Sequence, residues 1–210
     1  MDVKILPCGP LSVNTYILSS ETPECLVIDP GDEAPVARYL EKNGLTCGAI
    51  LLTHGHFDHI GGVPGLLRRY PGCKVYIHPD DSAMLSDPRA CLASWFGRSF
   101  EPVREYETLR EGPMSLTGFS FEVVHTPGHS PGSVSFLFPS SGIVFSGDTV
   151  FQCSVGRSDL VGGDEAALLR SVRHLIDSLP DGTVIYPGHG PETEKTFEQT
   201  HNPYYLYSLS

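Results

Sequence analysis

The chain alternates short apolar runs with clusters of Gly, Pro and Asp. Runs at 15–18, 25–28, 49–52, 74–77, 119–124, 133–138, 143–145 and 183–186 are bounded by turn-forming residues, the pattern of buried strands. Three stretches carry helical periodicity instead: 34–43, 63–70 and 165–178. The last sets Leu168, Leu169, Val172, Leu175, Ile176 and Leu179 on one face. Strands come first in pairs and then alternate with helices, which predicts an α/β layered fold with sheets packed face to face and helices outside. Residues 80–111 mix charges with Trp95, Phe96 and Phe100 and show no strand period. A helical excursion beside the site is expected there, as a surface helix pair or a substrate lid.

A length of 210 residues suits a single domain, 1–210, with a sizeable core. The 22 Gly and 18 Pro add many tight turns to that picture. Charge narrows the partners: the formal net charge is −11 with no Lys/Arg cluster, so neither nucleic acid nor an anionic membrane surface is expected. No run reaches the roughly 18 apolar residues of a membrane span, and residues 1–7 lack the pattern of a secretion signal. Six cysteines without a C-x-x-C pair read as reduced thiols, and a cytoplasmic location is expected. Monomer and dimer both fit.

The chemistry concentrates in Thr53-His54-Gly55-His56-Phe57-Asp58-His59, which follows the run 49–52. In an extended segment His54 and His56 point the same way, because side chains alternate with period two. Asp58 and His59 then turn with the chain, so one loop offers four donors. Imidazole nitrogen and carboxylate oxygen are the donors expected for zinc and similar ions. The same grammar recurs three times: a strand runs into Pro127-Gly128-His129, another into Gly147-Asp148, and a third into Pro187-Gly188-His189. Each places one donor just after a strand, beside a glycine that admits close backbone approach. The other histidines read differently: His78 as a turn residue, His125 as a hydrogen-bonded core or supporting residue, and His174 and His201 as surface residues.

H-x-H-x-D-H followed by isolated His, Asp and His resembles the metallo-β-lactamase superfamily over nearly the whole chain, including Asp29 in Ile28-Asp29-Pro30-Gly31 as that superfamily's structural aspartate. The resemblance implies a four-layered αββα sandwich with a dinuclear site at one edge of the sheets. It implies that His54, His56 and His129 hold one ion, that Asp58, His59 and His189 hold the second, and that Asp148 bridges them. Zinc is the expected metal, with iron or manganese as alternatives, and Asp58 is also assigned to catalysis. The run from Gly147 to Arg157, with Asn14-Thr15-Tyr16 and Leu179-Pro180, is similar to the glyoxalase II branch. There a basic residue at the place of Arg157 helps bind glutathione. A structural alternative pairs Arg157 with Asp159 or Asp164. Only 21 residues follow His189, so the chain resembles the short bacterial relatives of glyoxalase II that lack a C-terminal glutathione-binding helical domain.

The expected reaction is therefore hydrolysis of a small-molecule thioester such as S-2-hydroxyacylglutathione. A thiolate with a parent pKa of about 8.5 leaves without a strong general acid, whereas an amide nitrogen must be protonated. Gly156-Arg157-Ser158-Asp159 is also similar to a segment of the persulfide dioxygenases, which use one iron. That activity, and hydrolysis of another ester or lactone, are the competing expectations.

Overall fold

A computed structural model describes residues 1–208. In chain order its strands are β1 (Asp2–Cys8), β2 (Val13–Ser19), β3 (Glu24–Ile28), β4 (Thr46–Leu51), β5 (Lys74–Ile77), β6 (Glu107–Thr108), β7 (Gly112–Leu116), β8 (Phe119–His125), β9 (Val134–Phe138), β10 (Ile143–Gly147), β11 (Val150–Phe151), β12 (Ser154–Val155), β13 (Val184–Pro187) and β14 (Thr193–Glu194). Helices are α1 (Glu33–Asn43), α2 (Phe57–Ile60), α3 (Val63–Arg69), α4 (Glu165–Ser178), α5 (Lys195–His201) and α6 (Pro203–Tyr207). Every apolar run and helical stretch read from the sequence corresponds to one of these. The chain divides into two compact units, one of residues 1–109 and 115–119, the other of 110–114 and 120–210.

The first unit is built on a six-stranded sheet in the order β1-β2-β3-β4-β5-β6. β1, β2 and β3 pair antiparallel, while β3, β4, β5 and β6 run parallel. Parallel neighbours need crossovers, which α1 and α3 supply. The Asp32 side chain accepts the Ala34 N–H at the start of α1, and Gly44 at φ 66° ends it, the two ends that these residue types favour.

The second unit carries the order β14-β13-β10-β9-β8-β7. Its core joins Leu137, Val144 and Ile185 of the strands to Leu168, Val172, Leu175 and Ile176 of α4. Asp164 caps α4 through the Ala167 N–H, and the apolar stripe read from the sequence is the face that is buried, except for Leu169, which is half-buried and outside this core.

Residues 80–111 differ from expectation. They hold one 3-10 helix, Pro79–Leu85, then hydrogen-bonded turns and β6, rather than a pair of helices. Pro79, Pro88 and Pro102 lack the N–H that a helix interior needs. Leu92 at φ 69° and Gly97 at φ 60° turn the backbone left-handed, which no α-helix accommodates.

Candidate metal centre

Four candidate donors sit in the first unit where β4 gives way to α2. His54, His56, Asp58 and His59 are all buried. The ring centroids of His54 and His56 lie 4.7 Å apart and those of His54 and His59 4.0 Å apart. Asp58 Oδ2 is 3.7 Å from His59 Nε2. The bend between His54 and His56 depends on Gly55. A Cβ there would meet Met84 at 2.5 Å, and the Gly55 N–H donates to the buried Asp81 carboxylate at 3.1 Å. The Phe57 N–H donates to Cys91 O at 2.9 Å. Asp81, Met84 and Cys91 thus brace the loop.

Asp29 organises these donors. Its Oδ1 accepts the Thr53 N–H at 2.8 Å, and its Oδ2 accepts the Thr53 hydroxyl at 2.6 Å and His59 Nδ1 at 2.9 Å. A carboxylate is acceptor-only, so His59 carries its proton on Nδ1 and presents Nε2 as a lone pair. Thr53 spends its hydroxyl hydrogen on Asp29, so its oxygen is left to accept from His54 Nδ1 at 3.1 Å. One buried aspartate therefore fixes two imidazole tautomers, one directly and one through Thr53. Asp29 sits at φ 49°, a left-handed conformation that Asp tolerates better than most residues. Thr15 holds it there, donating its hydroxyl to Asp29 O and accepting the Gly31 N–H. The relay through Thr53 escaped the sequence reading, since a threonine ending a strand carries no pattern of its own.

Three donors belong to the second unit. His129 and Asp148 are buried, and His189 is 26 % exposed. Asp148 Oδ2 lies 3.4 Å from His129 Nε2 and 3.8 Å from His189 Nε2. His129 Nδ1 donates to the Arg157 carbonyl at 2.7 Å, which leaves Nε2 as the available nitrogen here too. This approach requires Gly156: a Cβ on it would fall 2.0 Å from Asp148 O and 3.1 Å from His129 Nδ1. Side-chain motifs do not report a backbone carbonyl, so this part of the Arg157 contribution was also invisible in the sequence.

The Arg157 guanidinium forms a two-bond pair with Asp159, at 2.7 and 2.8 Å. This pair holds the Asp159 carboxyl down to about 2 and raises the guanidinium. Asp164, the other candidate partner, is engaged instead at the α4 cap. A substrate carboxylate at Arg157 would have to displace Asp159. Of the remaining histidines, His125 Nε2 meets Pro131 O at 3.0 Å, His78 accepts the Asp80 N–H at the start of the 3-10 helix, His201 stacks on Phe197, and His174 is exposed.

The donor types fit divalent ions: His54, His59 and His129 are buried imidazoles with Nδ1 held by oxygen, joined by His56, His189 and two carboxylates, as borderline metals require. Among the described residues no helix is long and apolar enough to cross a membrane.

Residues 8–189 match the family model described as metallo-beta-lactamase superfamily. Among curated proteins, the chain is 38 % identical to the probable metallo-hydrolase YqgX of Bacillus subtilis, with 95 % of each chain covered. It is 32 % identical to the hydroxyacylglutathione hydrolase GloC of Haemophilus influenzae, over 97 % of this chain and 98 % of that one. Among solved structures, the BLEG-1 B3 metallo-beta-lactamase is 40 % identical with a TM-score of 0.91, over 97 % of this chain and 99 % of the other. TTHA1623 in a di-iron-bound form is 41 % identical with a TM-score of 0.86, over 96 % and 100 %.

Proposed function

Because the chain belongs to the metallo-β-lactamase superfamily, whose fold it shares, we propose that this metal-dependent hydrolase cleaves thioesters of small molecules, S-2-hydroxyacylglutathione in the first place. The observation that carries the metal-dependent part is the fixed tautomer of His54, His59 and His129, whose Nδ1 atoms are held by Thr53, Asp29 and the Arg157 carbonyl. The full-length likeness to GloC supports the substrate class. In this reading His54, His56, Asp58, His59, His129, Asp148 and His189 hold two divalent ions, zinc or iron.

When bound, such ions supply an acidified water and a Lewis acid for the carbonyl. The chain supplies position. Asp29 and Thr53 keep two imidazoles from rotating, and the Arg157 carbonyl does the same for His129. Buried Asp58 is the proposed acceptor for the proton of the attacking water. A thiolate needs no protonation to leave, so the absence of a general acid among these seven donors favours a thioester over an amide.

Metal analysis joined to a thioester panel tests this. About two divalent ions per chain are expected, with thioester turnover that chelation abolishes and re-addition restores. One iron per chain, with oxygen uptake on a glutathione persulfide and no thioester turnover, would replace hydrolysis by the dioxygenase reading.

A further inference from the structure

Two cysteines of the first unit are in contact. Cys47 belongs to β4, and Cys73 stands immediately before β5. These strands are parallel neighbours with Ala49 opposite Lys74, so the two cysteines sit beside each other with an offset of one residue. At the spacing of neighbouring strands that offset sets their Cα atoms roughly 6 Å apart, within the range of about 4.4–6.8 Å that a disulfide spans. Their sulfurs are 3.4 Å apart and need to close by about 1.4 Å to form a bond.

Access distinguishes the two thiols. Cys73 is among the residues lining a cavity of about 860 Å³, with Leu67 of α3, Pro71, Pro102 and Tyr106, and it keeps 7 % of its surface exposed. Cys47 is 1 % exposed and is not among the lining residues. One thiol is therefore open to a molecule little larger than water, such as hydrogen peroxide, while bulky alkylating reagents are kept from both. The pair also brackets the candidate donors of this unit, since residues 48–72 between them include His54, His56, Asp58 and His59.

We propose that Cys73 and Cys47 are a peroxide-responsive pair: Cys73 is oxidised first, and Cys47 resolves it to a disulfide that closes the donor-bearing loop. The Cys73 sulfur attacks one peroxide oxygen, the O–O bond breaks, and the departing hydroxide takes up the thiol proton as water, leaving a sulfenic acid. The Cys47 sulfur then attacks the Cys73 sulfur, the S–O bond breaks, and the hydroxyl leaves with the Cys47 proton as a second water. Two thiols and one peroxide give one disulfide and two waters, the two electrons passing from sulfur to the peroxide oxygens. The disulfide spares Cys73 the further steps to irreversible acids. It also joins the ends of a loop of about 25 residues, which restricts the unfolded chain and stabilises the folded one.

The test is peroxide treatment of the full chain loaded with zinc, which has no redox chemistry of its own, in a Cys153→Ser background that removes the exposed thiol. The intact mass should fall by two hydrogens, and peptide mapping without reductant should find Cys47 joined to Cys73. Dithiothreitol should reverse both changes. Cys47→Ala should strand Cys73 as a sulfenic acid that dimedone traps, whereas Cys73→Ala should leave Cys47 unoxidised at the same dose. A contact that serves packing alone produces no such asymmetry. The oxidised form should have a Tm higher by about 5 °C or more than the reduced form. Absence of the crosslink at doses that oxidise Cys153 in the wild type, a crosslink between a different pair, or equal oxidation of Cys47 with and without Cys73 would each overturn the proposal. The mapping of the Cys153→Ser protein decides it even if an alanine variant fails to fold. A crosslink that leaves the Tm unchanged would overturn the loop-closing role.

Discussion

Asp29 carries more of the candidate centre than any donor does, although it is not itself one of the seven. Its two oxygens take three hydrogen bonds, from the Thr53 N–H, the Thr53 hydroxyl and His59 Nδ1. Asp29→Asn is the informative change, because Asn also tolerates the left-handed backbone at φ 49° and the fold is retained. The amide replaces one acceptor oxygen with a donor, so at least one of the three incoming hydrogens loses its partner. Loss of such an outer partner typically costs about 10- to 100-fold in metal affinity. A competition titration against a chelator should show that drop while circular dichroism is unchanged, and wild-type affinity would refute the hub role. At this scale the sequence was legible for side chains that act as themselves: the seven donors and Asp29 stand in recognisable spacing. It was illegible where a backbone atom or a relay acts, as with the Arg157 carbonyl and Thr53.

At the scale of elements, the β11–β12 hairpin that follows Asp148 is pinned by the C-terminal helices. Glu198 of α5, fully buried, accepts the Cys153 N–H at 3.0 and 3.2 Å, the Thr193 hydroxyl at 2.6 Å and Asn202 Nδ2 at 2.7 Å. Asn202 donates also to Ser154 O and caps α6 through the Tyr204 and Tyr205 N–H groups. The last turns of the chain therefore act as a clamp on the hairpin. Glu198→Ala strips one carboxylate from the Cys153 N–H and from two buried donors, Thr193 and Asn202, and each buried donor left unpaired costs about 1–3 kcal/mol. A loss of about 3 kcal/mol or more is expected in urea denaturation, with Glu198→Gln intermediate because the amide oxygen still accepts. A loss below about 1 kcal/mol would show that water takes over the carboxylate's role. The sequence reading missed α5 and α6 since each is short, five to seven residues, too brief for helical periodicity to register. Long elements such as α4 and the buried strands were read with bounds close to those observed.

Across the whole molecule, both units seal their interiors without covalent staples, and the six cysteines report on that. All are free, and only Cys153 is exposed. Cys47 and Cys73 approach to 3.4 Å between sulfurs, a contact between thiols rather than a bond. Burial pushes up the Cys8 and Cys91 thiols and takes Cys25 up to about 12, while the hydrogen bond with Cys73 and burial together raise Cys47. The thiolate is the species that attacks an alkylating or disulfide reagent, so these four are protected twice, by exclusion of reagent and by suppression of the reactive form. The scattered spacing of the cysteines in the sequence already argued for reduced thiols, but the single exposed one could not be picked out. Cys153 stands at φ 54° in a tight turn created by tertiary pairing of two-residue strands. Labelling of the native protein with a thiol reagent should therefore proceed in two stages, one thiol per chain at once and the remaining five only through opening of the fold. For a domain stable by 5 kcal/mol or more, the open fraction is below about 10⁻³, so the second stage should be slower by at least about a thousandfold when opening is rapid. Added urea should accelerate it along the unfolding curve, and unfolded protein should titrate six thiols. Fast labelling of two or more thiols in the native state would mean that one of the units opens locally, and identifying the second labelled cysteine by mass spectrometry would say which.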